Sequence, residues 1–273
     1  TMAQLQAQSL GVLGLSFGVA AVWGVVLHRS HFCTMGAISD VLIMGSSTRL
    51  RQWVLAVALS VLGFGLMTAM GWISPLNTIY GGTPLNGLTL VLGGVLFGVG
   101  MVLASGCTSK NLVRLAGGNL KSLVVLINMG IFALATMRGL PGVFRVQVLD
   151  KVALDMASPF AGQWLSALTG WPLSMGVATT SVLVALALLM WVFKDRDFRQ
   201  TAQWWPGLAS AVVVLMVWWL SGVVGFVPEH PETLEAVFLT SASGRMESLS
   251  FTAPMAYTLD AFMYFSDGSK RVN

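Results

Sequence analysis

Hydrophobic residues run along this chain in six long blocks, and every Asp, Glu, Lys and Arg lies outside them. The blocks are approximately Leu10–Leu27, Trp53–Ser74, Leu88–Ser105, Ser122–Met137, Leu173–Phe193 and Gly207–Val227. Crossing the hydrocarbon core of a bilayer takes about 17–25 helical residues, so only Ser122–Met137 falls short. A helix satisfies its own backbone groups, and none of these blocks would bury a charge in lipid. The pattern therefore predicts six transmembrane helices. Two further apolar pieces, Ser158–Leu168 and Phe251–Phe265, are too short or too polar to span. The second contains Pro254, Tyr257 and Asp260 and reads as a re-entrant or interfacial segment.

Two of the interruptions follow one scheme. The first reads His28, Arg29, Ser30, His31, Phe32, Cys33, Thr34, Met35, Gly36; the second reads Ala104, Ser105, Gly106, Cys107, Thr108, Ser109, Lys110. In each, a Gly-rich apolar block ends at a Cys-Thr pair. A short amphipathic stretch follows (Met35–Met44; Ser109–Ala116) and stops at glycine, at Gly45 or at Gly117 and Gly118. The unit is helix, Cys-Thr break, half-helix, helix, once over about 10–74 and again over about 88–137. Further helices fill 173–227. Weak internal symmetry with interrupted hydrophobic segments points to the binding site of a transporter. The fold class expected is all-α: one polytopic membrane domain over 1–273, with internal repeats and short re-entrant half-helices carrying the Cys-Thr breaks. The glycine pairs Gly14/Gly18 and Gly94/Gly98 are expected to be sites of close helix packing.

Composition agrees. Hydrophobic residues make up 55% and charged residues 10% of the chain, against roughly 25% charged in soluble domains. No Lys or Arg precedes the first block and no small-residue cleavage site follows it, so it is not a signal peptide. The chain starts at Thr1 without an initiator Met and stops at Asn273. Both read as cut points, and a missing C-terminal part is expected.

Charge orders the loops. With six crossings, one side receives Arg29, Arg49 and Arg51, then Lys110, Arg114 and Lys121, then Lys194, Arg196 and Arg199. The other receives the uncharged loop Pro75–Gly87 and an acidic stretch with Glu229, Glu232, Glu235 and Glu247. The positive-inside rule makes the first side cytoplasmic and the amino terminus external. Arg138, Arg145 and Lys151 run against it. With no basic tract interleaved with aromatics, nucleic-acid binding is not expected.

The Cys-Thr breaks carry the candidate chemistry. Thr34, or Thr108 and Ser109, stands where a hydroxyl caps the half-helix that follows. The remaining amide donors and the positive helix end then face the space beside the thiol, which makes an anion site without a buried cation. Gly36 and Gly106 would let backbone approach a ligand closely. A thiol is a weak donor and a soft contact, suited to an anion that must be held and then released. The expected substrate-binding residues are Cys33, Cys107, Thr34, Thr108, Gly106 and Ser109. Two plainer readings stand beside this one: the thiols as small buried hydrophobes, and a Cys33–Cys107 disulfide. Lys110 and Arg114 read as topology and interface residues. No phosphate loop, Cys-x-x-Cys pair or catalytic Ser/His/Asp order occurs, and neither a metal nor a cofactor is expected.

The segment from Gly98 through Ser105, Gly106, Cys107 and Thr108, with Leu112 to Gly118 downstream, strongly resembles the YeeE/YedE family of inner-membrane sulfur-compound transporters. So does Phe32 to Asp40. The resemblance implies a multi-helix protein of the bacterial inner membrane with inverted internal symmetry and half-helices dipping toward the membrane centre. It implies uptake of thiosulfate, with related members linked to selenium metabolism. It further implies cysteines along a central path that hand the ion inward through S–H hydrogen bonds, two of them at Cys33 and Cys107. Relatives continue into a further half with another Gly-Cys-Thr segment, which this chain lacks. A soluble sulfur-accepting protein on the cytoplasmic side is an implied partner. The expected function is a permease for a small sulfur oxyanion. The rivals are a membrane-embedded sulfur-transfer enzyme carrying persulfide, and a non-transporting subunit whose thiols only pack.

Overall fold

A computed structural model describes residues 2–81, 87–149, 151, 160–200, 203–229, 236–239, 241 and 243–264. Glu232 and Glu235 of the acidic stretch, and residues 152–159 of the long connection, lie outside the described residues. In chain order the elements are α1 (Met2–Ser30), α2 (Thr34–Ser39, continued by a π turn Asp40–Met44), α3 (Thr48–Ala69), α4 (Gly87–Leu103), α5 (Thr108–Ala116) and α6 (Leu120–Arg138). Then come α7 (Leu140–Phe144), α8 (Ala161–Thr169), α9 (Leu173–Phe193), α10 (Arg196–Gln200), α11 (Trp205–Trp219), β1 (Phe226–Val227), β2 (Val237–Phe238) and α12 (Thr252–Met263). The fold is all-α and polytopic. Six segments among the described residues are long and apolar enough to cross a membrane. Each overlaps one of the six blocks, and α9 matches its block at both ends.

The chain divides into two compact units. One comprises Thr1–Thr83 and Ser158–Leu249; the other comprises Pro84–Ala157 and Ser250–Asn273.

In the first unit, α3 packs against α9 and α11, and α8 against α9. Small residues permit the close approach. A Cβ on Gly65 would strike Ser181, one on Gly63 would strike Leu215, and one on Gly176 would strike Ser166. Lipid tails are as apolar as leucine, so close packing of this kind, not hydrophobic exclusion, holds membrane helices together. Polar side chains inside the helices return their hydroxyls to the preceding turn: Thr68 donates to the Phe64 carbonyl at 2.9 Å and Ser210 to that of Pro206 at 2.5 Å. At one end a small core of Ile73, Phe238 and Met246 is closed by the antiparallel β1–β2 pair. Helix α3 stops before the expected Ser74, because Gly71 at φ 73 supplies a left-handed stop. Trp72 N donates to Met67 O at 3.0 Å and Gly71 N to Thr68 O at 3.1 Å, which satisfies the last carbonyls.

Arg51 ties two of these helices together. Its Nη1 donates to the carbonyls of Trp191 at 2.6 Å and Val192 at 2.9 Å, in the last turn of α9. Its guanidinium lies 4.6 Å from the Trp191 ring centroid and 3.3 Å from Asp195. A cation over the negative end of a helix complements its dipole.

In the second unit, α6 packs against α5 and α12. Asp260 of α12 is buried, and both its oxygens meet Arg138 Nη1, at 2.9 and 3.1 Å. With twelve residues, α12 extends about 18 Å, too short to cross a bilayer.

The glycine rows depart from expectation. A Cβ added at Gly14, Gly18, Gly94 or Gly98 meets nothing within 4 Å among the described residues, so these faces make no close helix contact there. The spacing of the rows marks a smooth face and says nothing of which partner covers it.

Candidate functional site

Each unit contains one Cys-Thr break, and both are built the same way locally. Helix α1 ends at Ser30, whose hydroxyl donates to the Val26 carbonyl at 2.6 Å and accepts from Phe32 N at 3.2 Å. His31 then takes a left-handed conformation at φ 50. Helix α4 ends in a two-bond motif, with Gly106 N to Met101 O at 2.9 Å and Ser105 N to Val102 O at 3.1 Å. Its left-handed residue is Ser105, at φ 56. The left-handed residue thus stands two positions before the cysteine in both breaks. Neither is glycine.

The cysteines come next, in extended conformation, and each is the N-cap of its half-helix: Cys33 at φ −154, ψ 129 and Cys107 at φ −71, ψ 171. This corrects the expectation that Thr34, or Thr108 and Ser109, would cap. Thr34 and Thr108 are already the first helical residues, one position too late for their hydroxyls to reach back over the end. Neither cysteine side chain makes a capping hydrogen bond. The thiols therefore sit at the amino ends of the half-helices without occupying the orphan donors there. Neither forms a disulfide.

At the second break Cys107, Thr108, Ser109 and Asn111 are all buried. Cys107 Sγ lies 3.1 Å from Ser109 Oγ. Thr108 Oγ1 donates to Met129 Sδ on α6 at 3.1 Å and lies 3.5 Å from Thr252 Oγ1 at the start of α12. Three consecutive carbonyls of the break are held from α5. Asn111 Nδ2 donates to Gly106 O at 3.1 Å and to Cys107 O at 3.3 Å, and Arg114 Nη1 donates to Ser105 O at 2.9 Å. Gly106 does not open onto free space, because a Cβ there would lie 2.9 Å from Lys110 Cδ. The glycine admits the lysine stem. Glycine is needed besides because the backbone stands at φ 158. The α5 helix ends in the same two-bond motif, with Gly118 at φ 88, and Asn119 then caps α6 by accepting from Lys121 N at 3.0 Å.

At the first break Cys33 is half-buried, and Phe32 beside it meets Trp23 edge-on at 6.0 Å. The Trp23 indole N–H is buried and finds no acceptor among the described residues. Gly36 faces Arg49, whose Nη1 would lie 3.1 Å from an added Cβ. Arg49 also pairs with Asp40 at 3.3 Å. A basic side chain therefore covers a glycine at each break, Arg49 at the first and Lys110 at the second. Two cavities in the first unit, of about 360 and 470 Å³, lie elsewhere; neither is lined by Cys33 or Thr34.

Sequence reasoning missed Asn111 and Arg49, and it read Arg114 as a topology and interface residue. Asn111 was detectable as an amide one helical turn after a cysteine. Arg49 was not, since its return over α2 depends on the turn between the helices.

The matching family model, described as sulphur transport, covers residues 29–272. The chain belongs to the sulphur transport family. Similar members include the thiosulfate transporter TsuA of Spirochaeta thermophila, 32% identical over 121 residues, which are 44% of this chain and 35% of that protein. TsuA of Escherichia coli K12 is 24% identical over 248 residues, 88% of this chain and 64% of that protein. The probable transporter YedE of the same organism is 26% identical over 203 residues, 73% and 46% of the two chains. The chain thus spans less than two thirds of the length of these family members.

Proposed function

We propose that this chain is part of a bacterial inner-membrane permease that takes up a small sulfur-containing oxyanion, thiosulfate, along a path touched by Cys33 and Cys107. The observation that carries the proposal is the repeated placement of a cysteine as the N-cap of a half-helix. An anion arriving there meets amide donors at a positive helix end and, beside them, an S–H. The oxygens of thiosulfate accept from the amides, and its terminal sulfur accepts from the thiol. Each contact is weak enough to break, so the ion moves on; a tight site would stall transport. Thr34, Thr108 and Ser109 add hydroxyls at the two stations, and Gly106 shapes the turn before Cys107. The thiols act as transient donors, with no covalent step. A soluble sulfur acceptor on the cytoplasmic side would draw the ion forward. The similarity to thiosulfate transporters supports this choice of substrate over other sulfur anions.

The test is uptake of radiolabelled thiosulfate by cells that depend on the full-length protein. Cys107→Ala is expected to abolish uptake while the protein remains in the membrane. Full uptake by that variant would remove the thiol path.

A further inference from the structure

We propose that a slot between α6 and α12 holds an anionic phospholipid, with the headgroup on Arg138 and an acyl chain against the two helices. The slot is a cavity of about 320 Å³ within the second unit. Ile131, Leu134 and Ala135 of α6 and Leu259 and Met263 of α12 line its walls, with Arg138, Asp260 and Tyr264 toward one end. Ile131 and Met263 are 50% and 69% exposed, so the slot opens sideways. Helix α6 has 19 residues and extends about 28 Å, close to the roughly 30 Å of a hydrocarbon core. Arg138, its last residue, therefore lies at headgroup level, and Ile131 lies about 10 Å deeper. Helix α12 follows only that half of α6. Its first residue, Thr252, lies 3.5 Å from Thr108 Oγ1, which donates to Met129 in the middle of α6. Asp260, about two turns later, reaches Arg138.

The order of groups along the slot is that of a phospholipid: a cation at the interface and aliphatic walls beneath it. A small free anion would match the guanidinium and leave the walls bare; a neutral chain would match the walls and leave the guanidinium unused. Asp260 engages only Nη1, at 2.9 and 3.1 Å, of a group that carries five N–H donors. The carboxylate thus fixes the guanidinium beside the slot and leaves Nε and Nη2 without a hydrogen bond among the described residues. The side chain is 52% exposed, so these donors are within reach of a phosphate, whose geometry suits the guanidinium fork. Arg138 is one of the cations that run against the positive-inside pattern of the loops, and a local task at this slot accounts for it. Tyr264 suits the same level, where amphipathic aromatic rings collect. A lipid seated here would brace α12, and with it Thr252 against the second Cys-Thr break.

The experiment reconstitutes the full-length protein in phosphatidylcholine vesicles carrying a trace of phosphatidylglycerol with a diazirine on one acyl chain. A second set carries the same diazirine on phosphatidylcholine. After illumination, peptide mass spectrometry locates the adducts. The phosphatidylglycerol probe is expected to label residues 131–139 and 259–264 about fivefold more than the phosphatidylcholine probe, as one cation beside an anionic headgroup requires. Equal labelling, or no adduct in these segments, overturns the inference. Arg138→Gln combined with Asp260→Asn removes both charges without stranding a buried carboxylate, and it is expected to bring the ratio close to one. An unchanged ratio in that protein overturns the inference. Ala135→Leu narrows the slot and leaves the charges in place, so it is expected to lower labelling by both probes severalfold. Unchanged labelling there overturns the inference even if the charge-free variant fails to reach the membrane. Loss of the labelling in an excess of inorganic phosphate would assign Arg138 to a free anion and overturn the lipid.

Discussion

Arg114 Nη1 lies 2.9 Å from the carbonyl oxygen of Ser105, the left-handed residue that ends α4. The half-helix therefore grips the turn that launches it. A non-glycine residue in this conformation costs about 1–2 kcal/mol, and the hydrogen bond from a charged donor offsets part of that. Ser105→Gly is expected to stabilise the fold by roughly 0.5–1 kcal/mol after the entropic cost of glycine. Arg114→Ala is expected to cost about 1 kcal/mol. Melting temperatures in detergent check both signs; a fall with Ser105→Gly would mean the serine side chain is needed at the turn.

Asn111 is 1% exposed and donates to two carbonyls of the break. The Cys107 carbonyl also accepts from Asn111 N, so removing the amide orphans chiefly Gly106 O. Asn111→Ala is expected to cost about 2–3 kcal/mol and to loosen the turn before the thiol. Faster maleimide labelling of Cys107 in a Cys33→Ser background is the readout, and an unchanged rate would show that Asn111 does not position the cysteine.

Arg51→Ala removes two carbonyl contacts, the stacking on Trp191 and the Asp195 pair. The expected loss is about 2 kcal/mol, with Arg51→Lys intermediate because an ammonium cannot span both carbonyls and stack. Chemical unfolding in detergent ranks the three proteins.

Alanine at Gly65 and at Gly94 should act in opposite directions. The Gly65 position faces Ser181 across the α3–α9 contact, so Gly65→Ala is expected to cost about 1–3 kcal/mol by overpacking. Gly94 faces open space, and Gly94→Ala is expected to gain up to about 1 kcal/mol of helix propensity. Destabilisation by Gly94→Ala would show that the α4 glycine face has a covering partner.

Some of this architecture was legible before any coordinates. The six spans follow from uncharged blocks of membrane length, because backbone satisfaction leaves helix as the solution in lipid. The two half-helices were visible as Cys-Thr breaks bounded downstream by glycine, and Gly45, Gly117 and Gly118 do stand where those helices stop. The choice of cap was misjudged by one residue. Ser and Thr favour N-caps in general, yet the left-handed turns at His31 and Ser105 set the register so that cysteine falls on the cap and threonine one step inside. Backbone register at a turn depends on dihedral angles that residue preferences only bias.

What the amino-acid order alone determined is one-dimensional: which stretches are apolar enough to span, where they are interrupted, and which reactive groups lie at the interruptions. Hydropathy and helix-stop preferences act over neighbouring residues, so they can be read from the string. Tertiary structure alone decided which glycines serve as contacts, with Gly65 and Gly176 engaged and Gly14 and Gly94 open, and which charges are spent on the scaffold. It sent Arg51 to the end of α9 and brought Arg49 back over Gly36 beside Cys33. Those outcomes depend on side chains far apart in the chain meeting in space. No local pattern encodes the distance between them.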